Sequence, residues 1–123
     1  EIDNAYDNAI LYTDYFLSEV IALLKQNSDS FETAMIYISD HGESLGEGGL
    51  YLHGIPYVIS PESQRHVPAL MWFGDSYDEI DRERLATRLD RHYSHDNLFH
   101  TILGLLEIET SVYQKELDIV FAP

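Results

Sequence analysis

Side chains that could bind a metal ion are concentrated in residues 39–47, which read Ser-Asp-His-Gly-Glu-Ser-Leu-Gly-Glu. Asp40 and His41 stand side by side, and a carboxylate oxygen with an imidazole nitrogen is a ligand pair that suits zinc. Gly42 permits the tight turn that would bring both side chains onto one centre. His53 follows twelve residues after His41, and a folded loop would return it to the same pocket. This pattern is compatible with a metal site.

The same residues also fit a purely structural role. A single Asp-His pair after a strand is often a hydrogen-bonded turn, and short motifs of this kind produce many false positives. A histidine beside a glycine, such as His53, is commonly a loop residue with a backbone partner. Glu43 and Glu47 fit solvated loop acids equally well. An EF-hand is excluded because the Asp-rich calcium pattern is absent. The residue types alone leave the metal-binding and the structural interpretation open.

A second group of possible ligands comprises His92, His95, Asp96 and His100. Asp96 and His100 are four residues apart and would share one face of a helix. Ser94 and Asp96, however, are residue types that cap a helix at its start. We therefore expect this group to be structural.

The elements that must position the first group can be read from the flanking residues. Residues 33–39 are nearly all apolar and rich in β-forming types, which predicts a strand buried on both faces of a parallel or mixed sheet. Asp40 and His41 then lie at its carboxyl end, where ligands bind in open α/β sheets. Residues 40–63 contain five of the seven glycines and two prolines. They predict a long loop, and loops of that length are usually functional.

Helices and a second strand are expected around this loop. An apolar stripe with helical period predicts a helix over residues 1–26, and residues 67–73 predict a second buried strand. Residues 78–92 predict a surface helix, residues 94–107 a further helix, and residues 117–121 a closing strand. The order of elements predicts an α/β layered sheet. On the helix predicted over residues 94–107, the apolar stripe expected to be buried is Leu98, Ile102, Leu105 and Leu106.

Length and charge restrict the class of protein. The chain has 123 residues, which allows one domain, and 22 acidic against 7 basic residues give a net charge of −15. A surface of that sign repels nucleic acid, so nucleic-acid binding is not expected. The absence of cysteine excludes disulfides and thiolate metal sites. No apolar run reaches the roughly 20 residues of a spanning helix. Because the chain opens at Glu1 inside a helical pattern, we expect it to be a piece of a longer protein.

The run of residues 37–47, followed by Gly-Leu-Tyr-Leu-His-Gly at 49–54 and by Pro56, resembles the bacterial phosphoethanolamine transferases of the alkaline-phosphatase/sulfatase superfamily. The resemblance continues through Ser-His-Asp-Asn at 94–97 and Thr-Ser-Val-Tyr at 110–113, and it covers nearly the whole chain. It implies a partial alkaline-phosphatase-like layered sheet with flanking helices. Residues 1–123 would be the C-terminal portion of a sulfatase-like catalytic domain, without an internal boundary.

The resemblance also implies a metal. Asp40 and His41 match two of the four protein ligands of the family's catalytic zinc. The family's nucleophile and its glutamate ligand lie upstream of the helix that opens this chain, and they are absent from it. The isolated chain is therefore expected to be inactive and to bind zinc weakly. It is also expected to self-associate, because strands separated from their neighbours expose edges and apolar surface.

Substrate contacts follow from the same resemblance. His53 matches a family histidine that holds the phosphoryl group or a second metal, and Glu43 is placed with it as a phosphoryl- or substrate-binding residue. Pro56 and Tyr57 would line the substrate entrance. The resemblance assigns no metal to residues 92–100.

The activity implied for the whole protein is transfer of phosphoethanolamine from a phospholipid to lipid A or a related envelope glycan. The catalytic domain would face the periplasm from the bacterial inner membrane. A phosphoglycerol transferase or a sulfatase of the same fold is an alternative. A non-catalytic acidic module that binds a partner is another.

Overall fold

Helix α1 (Ile2–Asn27) opens the computed structural model, which describes residues 1–123. This confirms the predicted first helix. Its end is held by side chains, since Asn27 Nδ2 donates to the Leu23 carbonyl over 2.8 Å and Ser28 Oγ donates to the Lys25 carbonyl over 2.8 Å. No residue of α1 is buried, so its apolar stripe lies largely exposed. None of the helices combines the length and the hydropathy that crossing a bilayer requires.

The chain separates into two compact units, residues 1–77 and residues 78–123. In the first unit, β1 (Ala34–Ile38) pairs with β4 (Ala69–Phe73) in an antiparallel register that runs from Ala34 opposite Phe73 to Ile38 opposite Ala69. Both strands were predicted. The sheet consists of this antiparallel pair, so the predicted parallel arrangement is wrong, and the predicted mixed sheet stays a prediction. Burial on both faces is also wrong for the chain as described, because only Met35 of β1 is fully buried.

The glycine-rich loop between β1 and β4 has a structure of its own. It contains β2 (Ser44–Leu45) and β3 (Tyr51–Leu52), which form a short antiparallel pair around a 3₁₀ turn at Glu47–Gly49. Helix α2 (Glu62–Arg65) follows. The turn depends on glycine, because Gly46 has φ 129° and Gly48 has φ 62°. The hairpin reverses the chain, so residues on either side of it meet.

The second unit begins with the short helix α3 (Arg82–Ala86), and the predicted surface helix over residues 78–92 is therefore wrong in length. Asp81 caps its start by accepting a hydrogen bond from Arg84 N over 2.9 Å. Arg88, which follows the helix, is buried and donates to the carbonyls of Ile119 and Ala122 over 3.0 and 2.6 Å. Residues near Arg88 are thus placed by long-range contacts and not by a continued helix.

Helix α4 (Asp96–Leu105) confirms the predicted helix over residues 94–107 with shorter bounds. Its buried residues are His100 and Thr101. The predicted buried stripe is wrong in part, because Ile102 and Leu106 are exposed. The fully buried positions of α4 are therefore polar and not the apolar ones that the pattern predicts.

The predicted closing strand over residues 117–121 does not form. A 3₁₀ turn at Lys115–Leu117 ends at Asp118, which is 1% exposed. The Asp118 carboxylate accepts hydrogen bonds from the backbone N–H groups of Val120 and Phe121 over 2.8 and 2.9 Å. These bonds curl the backbone into a turn, because a side chain has taken donors that a strand would use. The prediction of one uninterrupted catalytic-domain portion stays a prediction, as does self-association.

Candidate functional site

The end of β1 presents Asp40 and His41 in a turn fixed by local hydrogen bonds. Ser39 Oγ donates to the His41 carbonyl over 2.7 Å, and Asp40 Oδ1 accepts from His41 N over 3.0 Å. His41 Nδ1 lies 3.0 Å from the Gly42 carbonyl, which can only accept, so Nδ1 carries the proton. His41 Nε2 is thereby left as a lone-pair donor, 3.8 Å from Asp40 Oδ2.

Gly42 allows α2 to approach this turn closely. Its N–H donates to the Gln64 carbonyl over 3.0 Å. A Cβ atom at position 42 would lie 1.9 Å from the Ser63 carbonyl oxygen, which no real side chain tolerates. Glycine is required here for close approach of two backbones and not for its φ angle. The turn that carries Asp40 and His41 is consequently braced from α2.

The β2–β3 hairpin returns His53 to the end of β1. The rings of His41 and His53 have centroids 3.8 Å apart and planes inclined by 31°. His53 Nδ1 lies 3.1 Å from Glu43 Oε2. Ligand atoms of His41, Glu43 and His53 all lie within 4.8 Å of one another. The structure therefore brings together three of the residues singled out from the sequence, His41, Glu43 and His53. Asp40 is outside this group of three and lies beside His41.

The side chains of Asp40 and of the three converging residues differ in their exposure to solvent. The side chain of Asp40 is 88% exposed, those of His41 and His53 are 41% and 49% exposed, and that of Glu43 is 22% exposed. Glu43 Oε1 is buried and has no hydrogen-bond partner. A buried carboxylate oxygen without a partner is costly, and a cation would satisfy it. Two imidazoles with carboxylates are also a donor set that fits zinc. The residues present thus suit a cationic group.

Glu47 supports the hairpin from its solvent side. Its Oε2 accepts a hydrogen bond from Leu45 N over 2.8 Å. Hydrogen bonds from its own backbone N–H and from that of Leu45 hold the pKa of the Glu47 carboxyl below its ordinary value. Glu47 accordingly stabilises the 3₁₀ turn as an exposed, charged side chain. This agrees with the interpretation of Glu47 as a solvated loop acid.

Pro56 and Tyr57 lie on an exposed turn beyond β3. The Pro56 carbonyl accepts a hydrogen bond from Ile59 N over 2.9 Å. Tyr57 is 75% exposed, and the Arg65 guanidinium lies 5.1 Å from its ring centroid. A role at the substrate entrance stays a prediction for both residues.

The histidines of the second group have structural surroundings. His100 is buried in the second unit, and its Nδ1 accepts a hydrogen bond from Gln114 N over 3.1 Å. Asp96 accepts from Ser94 Oγ over 3.3 Å at the start of α4. These contacts agree with the expectation that the group is structural.

One residue beside the first site, Gln64, was not assigned a role from the sequence. Gln64 is buried beside the hairpin and bonds to both of its strands. The residue stands out in the sequence only as a polar amide just before the β-forming residues 67–73. Pattern alone does not show that it is buried, because the contact spans the whole hairpin.

The fold and the site together are those of the sulfatase class. They consist of an antiparallel strand pair whose first strand ends in an Asp-His turn, and of a hairpin that returns a second histidine to that turn. The chain belongs to the sulfatase family, whose profile matches residues 1–108. The soluble domain of lipooligosaccharide phosphoethanolamine transferase A from Neisseria meningitidis has a similar structure, with a TM-score of 0.93 and 44% identity. That match covers 98% of this chain and 37% of the other. The predicted α/β fold is confirmed.

Further relatives carry the same kind of name. The C-terminal periplasmic domain of EptC from Campylobacter jejuni matches with a TM-score of 0.82 and 49% identity, over 94% of this chain and 36% of that one. Phosphoethanolamine transferase EptA from Escherichia coli is 48% identical over 98% of this chain. The chain spans 23% of the length of that curated relative.

Proposed function

We propose that this chain supplies part of the active site of a zinc-dependent phosphoethanolamine transferase, which moves phosphoethanolamine from a phospholipid to lipid A or a related envelope glycan. The observation that carries the proposal is the convergence of His41, Glu43 and His53, whose ligand atoms lie within 4.8 Å of one another beside Asp40. The similarity to transferases of that name supports the reaction class.

Asp40 and His41 would hold the zinc ion. Asp40 Oδ2 and His41 Nε2 lie 3.8 Å apart, and a carboxylate oxygen with an unprotonated imidazole nitrogen would supply two of the ion's ligands. When bound, zinc would stabilise negative charge on the phosphoryl oxygens. His41 Nδ1–H donates to the Gly42 carbonyl, which keeps Nε2 unprotonated and available as the ligand atom.

His53 and Glu43 would bind the group being transferred. A carboxylate can only accept, so the contact of 3.1 Å places the proton of His53 on Nδ1 and leaves Nε2 facing away from Glu43. As a neutral ring, His53 can accept a proton at that nitrogen, and once protonated there it can donate to a phosphoryl oxygen or to the leaving group. Glu43 Oε1, buried and unpaired, suits a cationic partner such as the ammonium of ethanolamine.

The setting of the proposed enzyme is the bacterial inner membrane, with the catalytic domain facing the periplasm. Two relatives support it by name, one described as an integral membrane protein and the other as a C-terminal periplasmic domain. Lipid substrates are supported by the names phosphatidylethanolamine transferase and Kdo(2)-lipid A phosphoethanolamine transferase.

The test uses a chimera in which this chain replaces the matching segment of the integral membrane enzyme from N. meningitidis, which is 44% identical to it. Zinc content is measured by elemental analysis and lipid A modification by mass spectrometry. Asp40→Ala and His41→Ala are expected to lose both zinc and activity. His53→Gln is expected to keep zinc and to lower turnover by about 10²- to 10⁴-fold, the range for loss of a general acid or base.

His66→Gln is the matched control, because its ring is exposed and faces Glu62 at 3.7 Å on α2. It should retain both zinc and turnover. Unchanged zinc and activity in the Asp40→Ala chimera would overturn the zinc assignment.

A further inference from the structure

Gln64 is a buried side chain whose amide is fully engaged. Its Nε2 donates to Ser44 Oγ over 2.7 Å and to the Leu52 carbonyl over 3.0 Å, while its Oε1 accepts from Ser60 Oγ over 3.3 Å. The Leu52 carbonyl can only accept, so the amide nitrogen must face it and the orientation of the amide is fixed. Gln64 is 6% exposed.

The partners of this amide stand next to the substrate-binding pair. Ser44 and Leu52 are opposite each other in the β2–β3 ladder. Ser44 follows Glu43 in the chain, and Leu52 precedes His53. One amide nitrogen thus bridges the two strands at the level where Glu43 Oε2 and His53 Nδ1 approach to 3.1 Å.

Leu52 has a backbone conformation that needs support. Its φ is 64°, in the left-handed region, where a residue with a Cβ pays about 1–2 kcal/mol. Such conformations persist only where the surroundings over-determine them. The hydrogen bond from Gln64 fixes the Leu52 carbonyl in this conformation, and the conformation turns the next residue, His53, back towards Glu43.

Gln64 also restrains the other side of the site through its main chain. Its carbonyl accepts the hydrogen bond from Gly42 N over 3.0 Å, immediately after His41. The side chain therefore fixes the hairpin arm and the main chain fixes the β1 arm. The rings of His41 and His53, with centroids 3.8 Å apart, come one from each arm.

We propose that Gln64 is a positioning residue for the transfer reaction, which holds Leu52 in its left-handed conformation and so keeps His53 Nδ1 on Glu43. The proposal rests on the proposed function for its effect on turnover. The expected effect of Gln64 on the His53 ring does not depend on the proposed function, and it is measured separately.

The first measurement is the tautomer of His53 in this chain, read from histidine ¹⁵N chemical shifts at a pH where the ring is neutral. The unaltered chain should hold the proton on Nδ1. Gln64→Met keeps the volume and removes the hydrogen bonds, so the Nδ1–H form should fall markedly. His100 is an internal reference in the same spectrum, because its Nδ1 accepts from Gln114 N and its tautomer should not change.

The second measurement is a rescue. Leu52→Gly accommodates a φ of 64° without strain, so adding it to Gln64→Met should restore part of the Nδ1–H form. In the chimera, Gln64→Met should lower kcat by about 10- to 100-fold, as loss of an outer-shell partner does. Its zinc content should match that of the unaltered chimera, and its KM should change less than its kcat.

An unchanged His53 tautomer and an unchanged kcat in Gln64→Met, with a loss of stability only, would overturn the proposal. If Gln64→Met does not fold, Gln64→Asn decides, because it keeps an amide that is one methylene too short to donate to the Leu52 carbonyl. A shifted His53 tautomer in Gln64→Asn then supports the proposal, and an unshifted one overturns it. A normal kcat in His53→Gln would instead defeat the proposed function, while the tautomer result for Gln64 would still stand.

Discussion

Replacing Gly42 by alanine tests how tightly the site turn is packed against α2. The added Cβ would lie 1.9 Å from the Ser63 carbonyl oxygen and 3.2 Å from Gln64 Cα. Both neighbours are main-chain atoms, so no flexible side chain can move aside. The two backbones must separate by roughly 1.5 Å to restore ordinary contact. That displacement also stretches the 3.0 Å hydrogen bond from Gly42 N to the Gln64 carbonyl.

The expected cost follows from these two effects. Overpacking of this kind costs about 1–3 kcal/mol. Loss of the backbone hydrogen bond adds about 1 kcal/mol. Gly42→Ala should therefore lower the free energy of unfolding by about 2–4 kcal/mol, which is roughly a 30- to 700-fold change in the unfolding equilibrium.

Urea unfolding followed by tryptophan fluorescence measures this change. Trp72 is the only tryptophan, and it lies on β4 in the same unit as Gly42. Gly48→Ala is the matched control: its Cβ would meet open space, and its φ of 62° leaves only a conformational cost of about 1–2 kcal/mol. A Gly42→Ala chain as stable as the Gly48→Ala chain would refute the packing argument.

Two further predictions concern the second unit. Gly104→Ala would place a Cβ 2.0 Å from Asp118 Oδ2, so it should destabilise the unit by about 1–3 kcal/mol relative to the unaltered chain, measured by thermal unfolding. Burial, with the hydrogen bond and negative charge of Asp118, raises the pKa of Tyr113 to about 12. Because the folded state holds the Tyr113 proton more tightly than the unfolded state does, protonated Tyr113 contributes to the free energy of unfolding. That contribution is complete below pH 10 and is lost as the pH rises towards 12. Tyr113→Phe should remove that part of the pH dependence in urea unfolding, and an identical pH dependence in both proteins would contradict the shift.

Elements with a strong local period were predictable from the sequence. The apolar stripe of α1 and the β-forming runs of β1 and β4 each lie within a few residues of their observed bounds. Their formation depends on spacing that a short window contains. The antiparallel pairing of β1 with β4 was not predictable in the same way, because a buried apolar strand suits either direction.

The errors fall where a polar side chain bonds to the backbone. Residues 117–121 have the apolar composition of a strand, yet the carboxylate of Asp118 within them accepts the N–H groups that a strand would offer to a neighbour. Residues 78–92 have the charge pattern of a surface helix, yet Arg88 is buried against the distant carbonyls of Ile119 and Ala122. Neither contact follows from the pattern of residue types, since each polar residue could equally face solvent.

One part of the candidate site follows from neighbouring residues, and another part depends on contacts between residues far apart in the sequence. The adjacency of Asp40 and His41 is a property of two neighbouring residues, and their place at the end of β1 followed from the strand pattern. The contact of His53 with Glu43 spans ten residues, and the bond of Gln64 to Ser44 spans twenty. Both depend on where the hairpin turns, which three glycines with positive φ between β2 and β3 determine and which the sequence leaves open.

The contacts that place His41, Glu43 and His53 all lie within the first unit, and they are hydrogen bonds more than apolar packing. Directional bonds fix an angle as well as a distance, so this arrangement orients imidazole nitrogens without needing a large core. Asp40 and His41 meanwhile keep exposed side chains. In the proposed zinc site, which needs four ligands to close, further ligands would enter from that exposed side. The hairpin and the Asp-His turn would then fix the positions to which those ligands are added.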